Sequence, residues 1–272
     1  MQFSVLQSDI FIILSGISFM PQLLFAILKK IMQKELKRFL AIYSISDLHL
    51  PFGADKPMNI FKGWDNYTDR IRANWNRMIS NDDTVIIPGD ISWALKLDES
   101  APDFEFINSL KGNKIIAKGN HEFWWSTVTK INEFLEKNSF NTIKILFNNA
   151  FLIDGISVCG TRGWLYDGTG DKDIKVIKRE CGRLKMSLDE GKRLGGKLVV
   201  FLHYPFAYGD FVSEELYSLL VSYRVEDVFY GHIHGSGFNK SLSSYGGIRT
   251  HIVSCDCIDF SPICVSSLVK NK

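Results

Sequence analysis

Five of the six histidines in this 272-residue sequence stand where a short apolar run breaks off into Asp, Asn or His. The stretches are Ser46-Asp47-Leu48-His49, Pro88-Gly89-Asp90, Gly119-Asn120-His121-Glu122, Phe201-Leu202-His203 and Gly231-His232-Ile233-His234. A lone imidazole on an apolar strand is ordinarily a satisfied core residue. Five imidazoles, two carboxylates and an amide with one shared grammar need a reason to converge, and a metal centre supplies one. Carboxylate and imidazole donors without thiolates suit Mn²⁺, Fe or Zn²⁺. Eight such groups exceed the four to six ligands of one cation, whereas two metals sharing a bridging Asp would use them.

The elements that deliver these groups follow from periodicity. Phe39–Ile45, Thr84–Ile87, Lys114–Lys118 and Lys197–Leu202 read as buried strands, and Val228–Tyr230 as another. Asp65–Ser80, Asp98–Leu110 and Ser126–Asn138 carry helical apolar faces, and Pro102 falls in a first turn where its missing N–H costs little. Strand–helix alternation at this rhythm implies βαβ units and a largely parallel sheet, with ligands at the C-terminal ends of the strands. Every motif above lies at such an end. Phe151–Gly160 reads as a hairpin turning at Asp154-Gly155, Ile174–Leu188 as a long helix and Glu214–Val221 as a shorter one. Ile248–Ser254 and Val265–Val269 read as closing strands, and His251 as structural. Alternate strand geometry would place the thiols of Cys255 and Cys257 on one face.

Composition bounds the class. A hydrophobic content of 46% and a charged content of 23% describe a folded globular protein, and a net charge of +2 selects no partner. The five cysteines lack zinc-site spacing and read as reduced thiols of a cytoplasmic protein. Residues 39–272 read as one catalytic domain and residues 1–38 as a separate apolar and basic extension. Its stretch from Ile10 to Leu28 is long enough to span a bilayer, and the lysines after it would keep the C-terminal side in the cytoplasm. Two other readings stand beside an anchor: an upstream extension with the start at Met32, and a docked helix. Association with a membrane would come only through residues 10–28. Oligomeric state has no signature.

The motifs, with 43, 30, 83 and 29 residues separating Asp47, Asp90, Asn120, His203 and His232, resemble those of the calcineurin-like metallophosphoesterases. The resemblance spans about residues 39–269 and implies that family's α/β fold, a β-sandwich flanked by helices in four layers, α/β/β/α. It implies that Asp47, His49 and His234 hold one divalent metal, that Asn120, His203 and His232 hold a second, and that Asp90 bridges them. Mn²⁺ is favoured over Fe or Zn²⁺. By the same resemblance His121 is the catalytic histidine, stabilising charge or protonating the leaving oxygen. The activity implied is hydrolysis of a phosphate mono- or diester by direct attack of a metal-bridging hydroxide. A nuclease, a cyclic-nucleotide phosphodiesterase and a non-catalytic metal-binding scaffold are the alternatives.

Departures narrow the branch. Many members read Gly-Asp-x-His and Gly-Asp-x-x-Asp, but here Ser46 precedes Asp47 and an Asp-Ile-Ser-Trp-Ala-Leu run follows Gly89. Lys118–Glu122 resembles the Arg-Gly-Asn-His-Glu of phosphoprotein phosphatases, whose other motifs are missing. Gly160-Thr161-Arg162-Gly163-Trp164 and Trp124-Trp125 are closer to a bacterial branch of predicted phosphohydrolases. Arg162 is a candidate for binding a substrate phosphate, against a structural ion pair. Trp93, Trp124, Trp125 and Trp164 either wall the cleft or pack the core. Few Lys or Arg flank the motifs, which favours a small phosphate ester over long nucleic acid.

Overall fold

A computed structural model describes residues 40–164 and 171–270. The expectations for residues 1–38, the apolar stretch 10–28 included, lie outside them. No helix of the described residues is long and apolar enough to cross a membrane.

The first half of the chain builds one sheet. Strands β1 (Ile42–Ser44), β2 (Thr84–Ile87), β3 (Asn113–Ile116) and β4 (Ile143–Ile145) pair in parallel, in that order. Helices α1 (Tyr67–Met78), α2 (Ala101–Ser109) and α3 (Val128–Lys137) form the crossovers. Thr127 caps α3, its side chain accepting from the Lys130 N–H at 3.3 Å. The second half builds another. β5 (Phe151–Ile153) and β6 (Ile156–Thr161) form the expected hairpin, with Asp154 and Gly155 both at positive φ, as a two-residue turn of this hand requires. β7 (Lys197–Leu202) joins β6 in parallel after α4 (Asp171–Leu194). The small hairpin β8 (Ala207–Tyr208) and β9 (Phe211–Val212) leads to α5 (Glu214–Ser222) and β10 (Asp227–Tyr230). β11 (Ser244–Tyr245) and β12 (Ile248–Ile252) complete the order β11-β12-β10-β7-β6-β5.

Why two sheets stack is visible in the alternation of side chains. Along β2, Val85 and Ile87 pack with Trp75 of α1 and Phe104 of α2, while Ile86 faces the other way. Along β7, Val200 and Leu202 meet Leu184 of α4 and Leu216 of α5, while Val199 and Phe201 turn to the opposite face. The turned residues join one cluster, Ile86, Ile115, Val158, Val199, Phe201 and Phe229, drawn from both sheets. Each strand is therefore apolar on both faces, and burying both requires helix, sheet, sheet, helix. This is the four-layer α/β/β/α arrangement.

Two local expectations fail. Val265–Val269 is not a strand: β13 is only Ile263–Cys264, antiparallel to β1, and Val265–Lys270 forms helix α6. Val265 and Val269 are both buried while Leu268 is exposed, the i,i+4 pattern of a helix that the short apolar and β-branched composition of the segment masks. The Cys255-Asp256-Cys257 segment is a turn, so no strand face is shared. Cys255 is buried with its thiol on the Asp47 carbonyl at 3.0 Å, whereas the Cys257 thiol reaches the Ile233 carbonyl.

Candidate metal centre

The strand ends bring the histidines and carboxylates together. Asp47, His49 and His234 offer ligand atoms within 4.8 Å of one another, and so do Asp90, His203 and His232. Asn120 places its Oδ1 2.6 Å from His203 Nε2 and 2.9 Å from His232 Nδ1. Asp90 Oδ2 faces both groups, 3.9 Å from His49 Nε2 and 3.5 Å from His203 Nε2. His121 stands beside them, its N–H donating to Asp90 Oδ1 at 2.9 Å and its Nε2 4.0 Å from Asp90 Oδ2. Its side chain is 35% exposed, so it borders the cavity rather than the core.

The backbone is bent to achieve this. Eleven described non-glycine residues have positive φ, and four of them are Asp47, His49, Asp90 and His232. Such conformations cost about 1 kcal/mol or more each and cluster where a site demands them. Close approach also dictates two glycines. A Cβ on Gly89 would lie 2.6 Å from the Gly119 Cα, and one on Gly231 would run into the Ser46 hydroxyl and the Asp47 carboxylate. Glu122, buried, ties the two central motifs together by accepting from the N–H groups of Asp90 (3.1 Å) and Ile91 (2.6 Å) as well as Gly119.

The donor set fits divalent cations. Burial pushes His49 down to about 3, His203 to about 4 and His232 to about 3, so each presents a neutral ring with a lone pair. His203 Nδ1 donates to the Pro88 carbonyl at 3.1 Å, leaving Nε2 for the cleft. The buried Nδ1 atoms of His49 and His121 have no partner among the described residues. Asp90 is pushed up to about 8 by burial and by the charge of Asp47. Burial alone would raise Asp47 too, but the hydrogen bond from His234 and the surrounding imidazoles hold it well below the usual carboxylate range. Among the described residues every ion-pair partner of Asp47 and Asp90 is a histidine. Two buried carboxylates without Lys or Arg are what a bound cation balances.

One supporting residue escapes a reading of the sequence. Asp256 accepts from His234 Nδ1 at 2.8 Å and from the Gly235 N–H at 2.9 Å, fixing the ring so that Nε2 lies 3.4 Å from Asp47 Oδ1. A signal exists: Asp256 follows the apolar run Ile252-Val253, as the other motif residues follow theirs, although it stands between two cysteines. Arg162 is not among the residues lining the metal cavity. Its guanidinium lies 3.9 Å from the buried Glu180 and stacks over Trp164, while its carbonyl accepts from the N–H groups of His203 and Tyr204. Of the four tryptophans, Trp93 lines the cavity; Trp124 is buried with Phe104, and Trp125 and Trp164 are partly buried against apolar clusters. His251 Nε2 donates to the Asp227 carboxylate at 3.1 Å and its ring stacks on Phe229, away from the centre.

A family model for calcineurin-like phosphoesterases matches residues 40–236, well over half of the chain. Among solved structures, a protein of unknown function from Aquifex aeolicus is 16% identical, with 85% of this chain and 98% of that one covered and a TM-score of 0.46. A phosphopantetheinyl hydrolase from Mycobacterium tuberculosis is 17% identical, with coverages of 79% and 89% and a TM-score of 0.44. A protein from Thermus thermophilus is 11% identical, with coverages of 83% and 97% and a TM-score of 0.46. No curated protein matches. The match to the family model, on a fold of two stacked sheets whose strand ends carry the expected donors, makes this chain a metallophosphoesterase of the calcineurin-like phosphoesterase family.

Proposed function

We propose that the protein hydrolyses a phosphate mono- or diester of small size at a dinuclear centre, by direct attack of water. The observation that supports it best is Asp90, whose Oδ2 lies 3.9 Å from His49 Nε2 in one ligand group and 3.5 Å from His203 Nε2 in the other. Asp47, His49 and His234 would hold one cation, and Asn120, His203 and His232 the other, with Asp90 between them. Two such cations supply Lewis acidity, making water a nucleophile near neutral pH and offsetting charge on the phosphoryl oxygens. Mn²⁺ is favoured for this donor set, with Fe and Zn²⁺ as the other candidates.

The chain's own groups do the rest. The His121 backbone N–H orients Asp90, and the His121 ring, held edge-on against Trp93 with centroids 4.5 Å apart, presents a proton donor to the leaving oxygen. Gly119 and Glu122 fix the loop that carries it. Neither Cys255 nor Cys257 competes as a nucleophile: burial pushes the Cys257 thiol up to about 12 and the Cys255 thiol well above its ordinary value. Arg162 contributes through its carbonyl, which holds the His203 backbone. The five cysteines are all unpaired, which suits a reducing, cytoplasmic setting.

The test uses the full chain stripped of metal and resupplied with Mn²⁺, assayed on bis(4-nitrophenyl) phosphate and on 4-nitrophenyl phosphate. Turnover of either that needs Mn²⁺ and is lost in Asp90→Asn is the expected result. Turnover that survives Asp90→Asn would remove the bridging role.

A further inference from the structure

The cavity over the metal centre, about 550 Å³, has a mixed lining: the metal-centre groups, the polar Ser236 and Asp256, and four large apolar side chains, Met58, Phe61, Trp64 and Trp93, with Trp93 stacked on His49 at 4.6 Å between centroids. Lys62 is the one lysine among the lining residues, and Lys56 sits over the Trp93 ring at 5.3 Å. A wall that met a sugar or a base edge would need Asn, Gln, Arg or backbone groups turned inward. Met58, Phe61, Trp64 and Trp93 offer sulfur and aromatic rings, with the Trp93 indole N–H, unpartnered among the described residues, as their one buried free donor. In the chain at or beside these residues and His121, apolar side chains are exposed: Ile60 is 78% exposed, Phe61 52%, Leu95 60% and Phe123 58%. Single exposed apolar residues are commonplace. Here four of the thirteen exposed large hydrophobics among the described residues sit on the three short segments that also supply Met58, Trp93 and His121. The Phe123 ring lies 6.1 Å from that of His121.

We propose that the substrate is a phosphate ester whose organic group is large and apolar, an alkyl chain or an aromatic system, seated against Met58, Phe61, Trp64 and Trp93. The proposal rests on the phosphoesterase reading of the same cavity and adds the chemistry of the group beyond the phosphate. Water's oxygen bonds to phosphorus, one ester P–O bond breaks, and the departing oxygen takes the proton, so that an alcohol and a phosphate leave. The apolar wall takes no part in that exchange. It binds the carbon skeleton by removing it from water, and Lys62 meets the phosphate's negative charge.

A chain-length series tests this, because added methylenes change apolar area while barely changing leaving-group acidity. The full chain, loaded with Mn²⁺, is assayed on ethyl, butyl, hexyl and octyl phosphates and on the corresponding alkyl 4-nitrophenyl phosphates, below micelle formation. In whichever series is turned over, kcat/KM is expected to rise roughly two- to fourfold per methylene seated. Phe61→Ala, at a half-exposed position whose loss leaves the core intact, is expected to cut the octyl-to-ethyl ratio about fivefold or more, and Phe61→Leu to restore most of it. A flat series in the wild type, with ethyl esters still hydrolysed, overturns the proposal and leaves the phosphoesterase reading standing. A slope that Phe61→Ala leaves untouched also overturns it, since the wall would not be the binding surface. No hydrolysis of either series or of aryl esters, with two Mn²⁺ bound, contradicts the phosphoesterase reading itself.

Discussion

Asp256 offers the sharpest test of how the ligands are held. Its carboxylate makes two hydrogen bonds, one to His234 Nδ1 at 2.8 Å and one to the Gly235 N–H at 2.9 Å. Through the first it fixes the orientation of the ring and points His234 Nε2 at the Asp47 side of the centre, 3.4 Å from Asp47 Oδ1. A hydrogen bond to a charged group contributes about 1.5–3 kcal/mol and a neutral one about 1 kcal/mol. Part of this is recovered when water fills the space in Asp256→Ala. The remaining ~1.4–2.7 kcal/mol corresponds to a 10- to 100-fold loss of metal affinity, the range found for such outer partners. Asp256 touches neither Asp90, Asn120, His203 nor His232 in any hydrogen bond or ion pair among the described residues. The loss therefore belongs to one site of two. Isothermal titration of the metal-stripped full chain with Mn²⁺ should show one binding step weakened by that factor and the other retained. Asp256→Asn, which keeps an acceptor for His234, should lie between. Equal weakening of both steps, or an unchanged isotherm, would refute the reasoning.

Other perturbations separate the remaining roles. His121→Asn is expected to keep both metals and lower kcat about 10²- to 10³-fold, read by steady-state kinetics beside metal analysis; lost metals would remove its catalytic assignment. Gly231→Ala, which drives a methyl into Ser46 and Asp47, should cost about 2–4 kcal/mol in denaturant unfolding and weaken Mn²⁺ binding. Lys114 is buried and donates to the carbonyls of Leu110 and Gly112 at the end of α2, so Lys114→Met should cost about 2–3 kcal/mol although no acid pairs with it in any ion pair among the described residues. Asp227 is the acid-sensitive point of the second sheet. Burial would raise its carboxyl, but His251 and a bidentate Arg249 hold it well below the usual range. Its folded value lies below its unfolded one, so its contribution is present above about pH 4 and fades as pH falls toward the folded value. Asp227→Asn should therefore cost about 3 kcal/mol at pH 7 and progressively less as pH falls below about 4, by the same unfolding assay.

What could be read from the sequence divides along physical lines. Strands buried on both faces leave continuous apolar runs, so β2, β3 and β7 and the groups they deliver are visible without coordinates. Short polar breaks at their ends mark Asp47, His49, Asp90, Asn120, His203, His232 and His234, and the structure brings all seven together. Period fails where β-branched residues sit on a helix, which is why Val265–Val269 reads as a strand. Supporting residues fail for a different reason. Asp256 and Glu122 act through two and three hydrogen bonds set by tertiary approach, and nothing in spacing reveals the partners. The apolar wall is hidden likewise, because Phe61 and Trp64 lie in an irregular segment whose side chains have no period. Arg162, a guanidinium after a strand that suits a phosphate, lies 3.9 Å from Glu180 and outside the residues that line the cavity, a placement that residue type does not reveal.

A centre in which two cations share Asp90 has a countable signature. The most direct measurement is the number of Mn²⁺ ions bound per full-length chain at saturation, for wild type and Asp90→Asn, with hydrolysis followed through the same titration. Two per wild-type chain are expected, with turnover rising at the second equivalent and both features lost when Asp90 is replaced. A single equivalent that supports full turnover, or two equivalents retained by Asp90→Asn with activity intact, would contradict a shared Asp90.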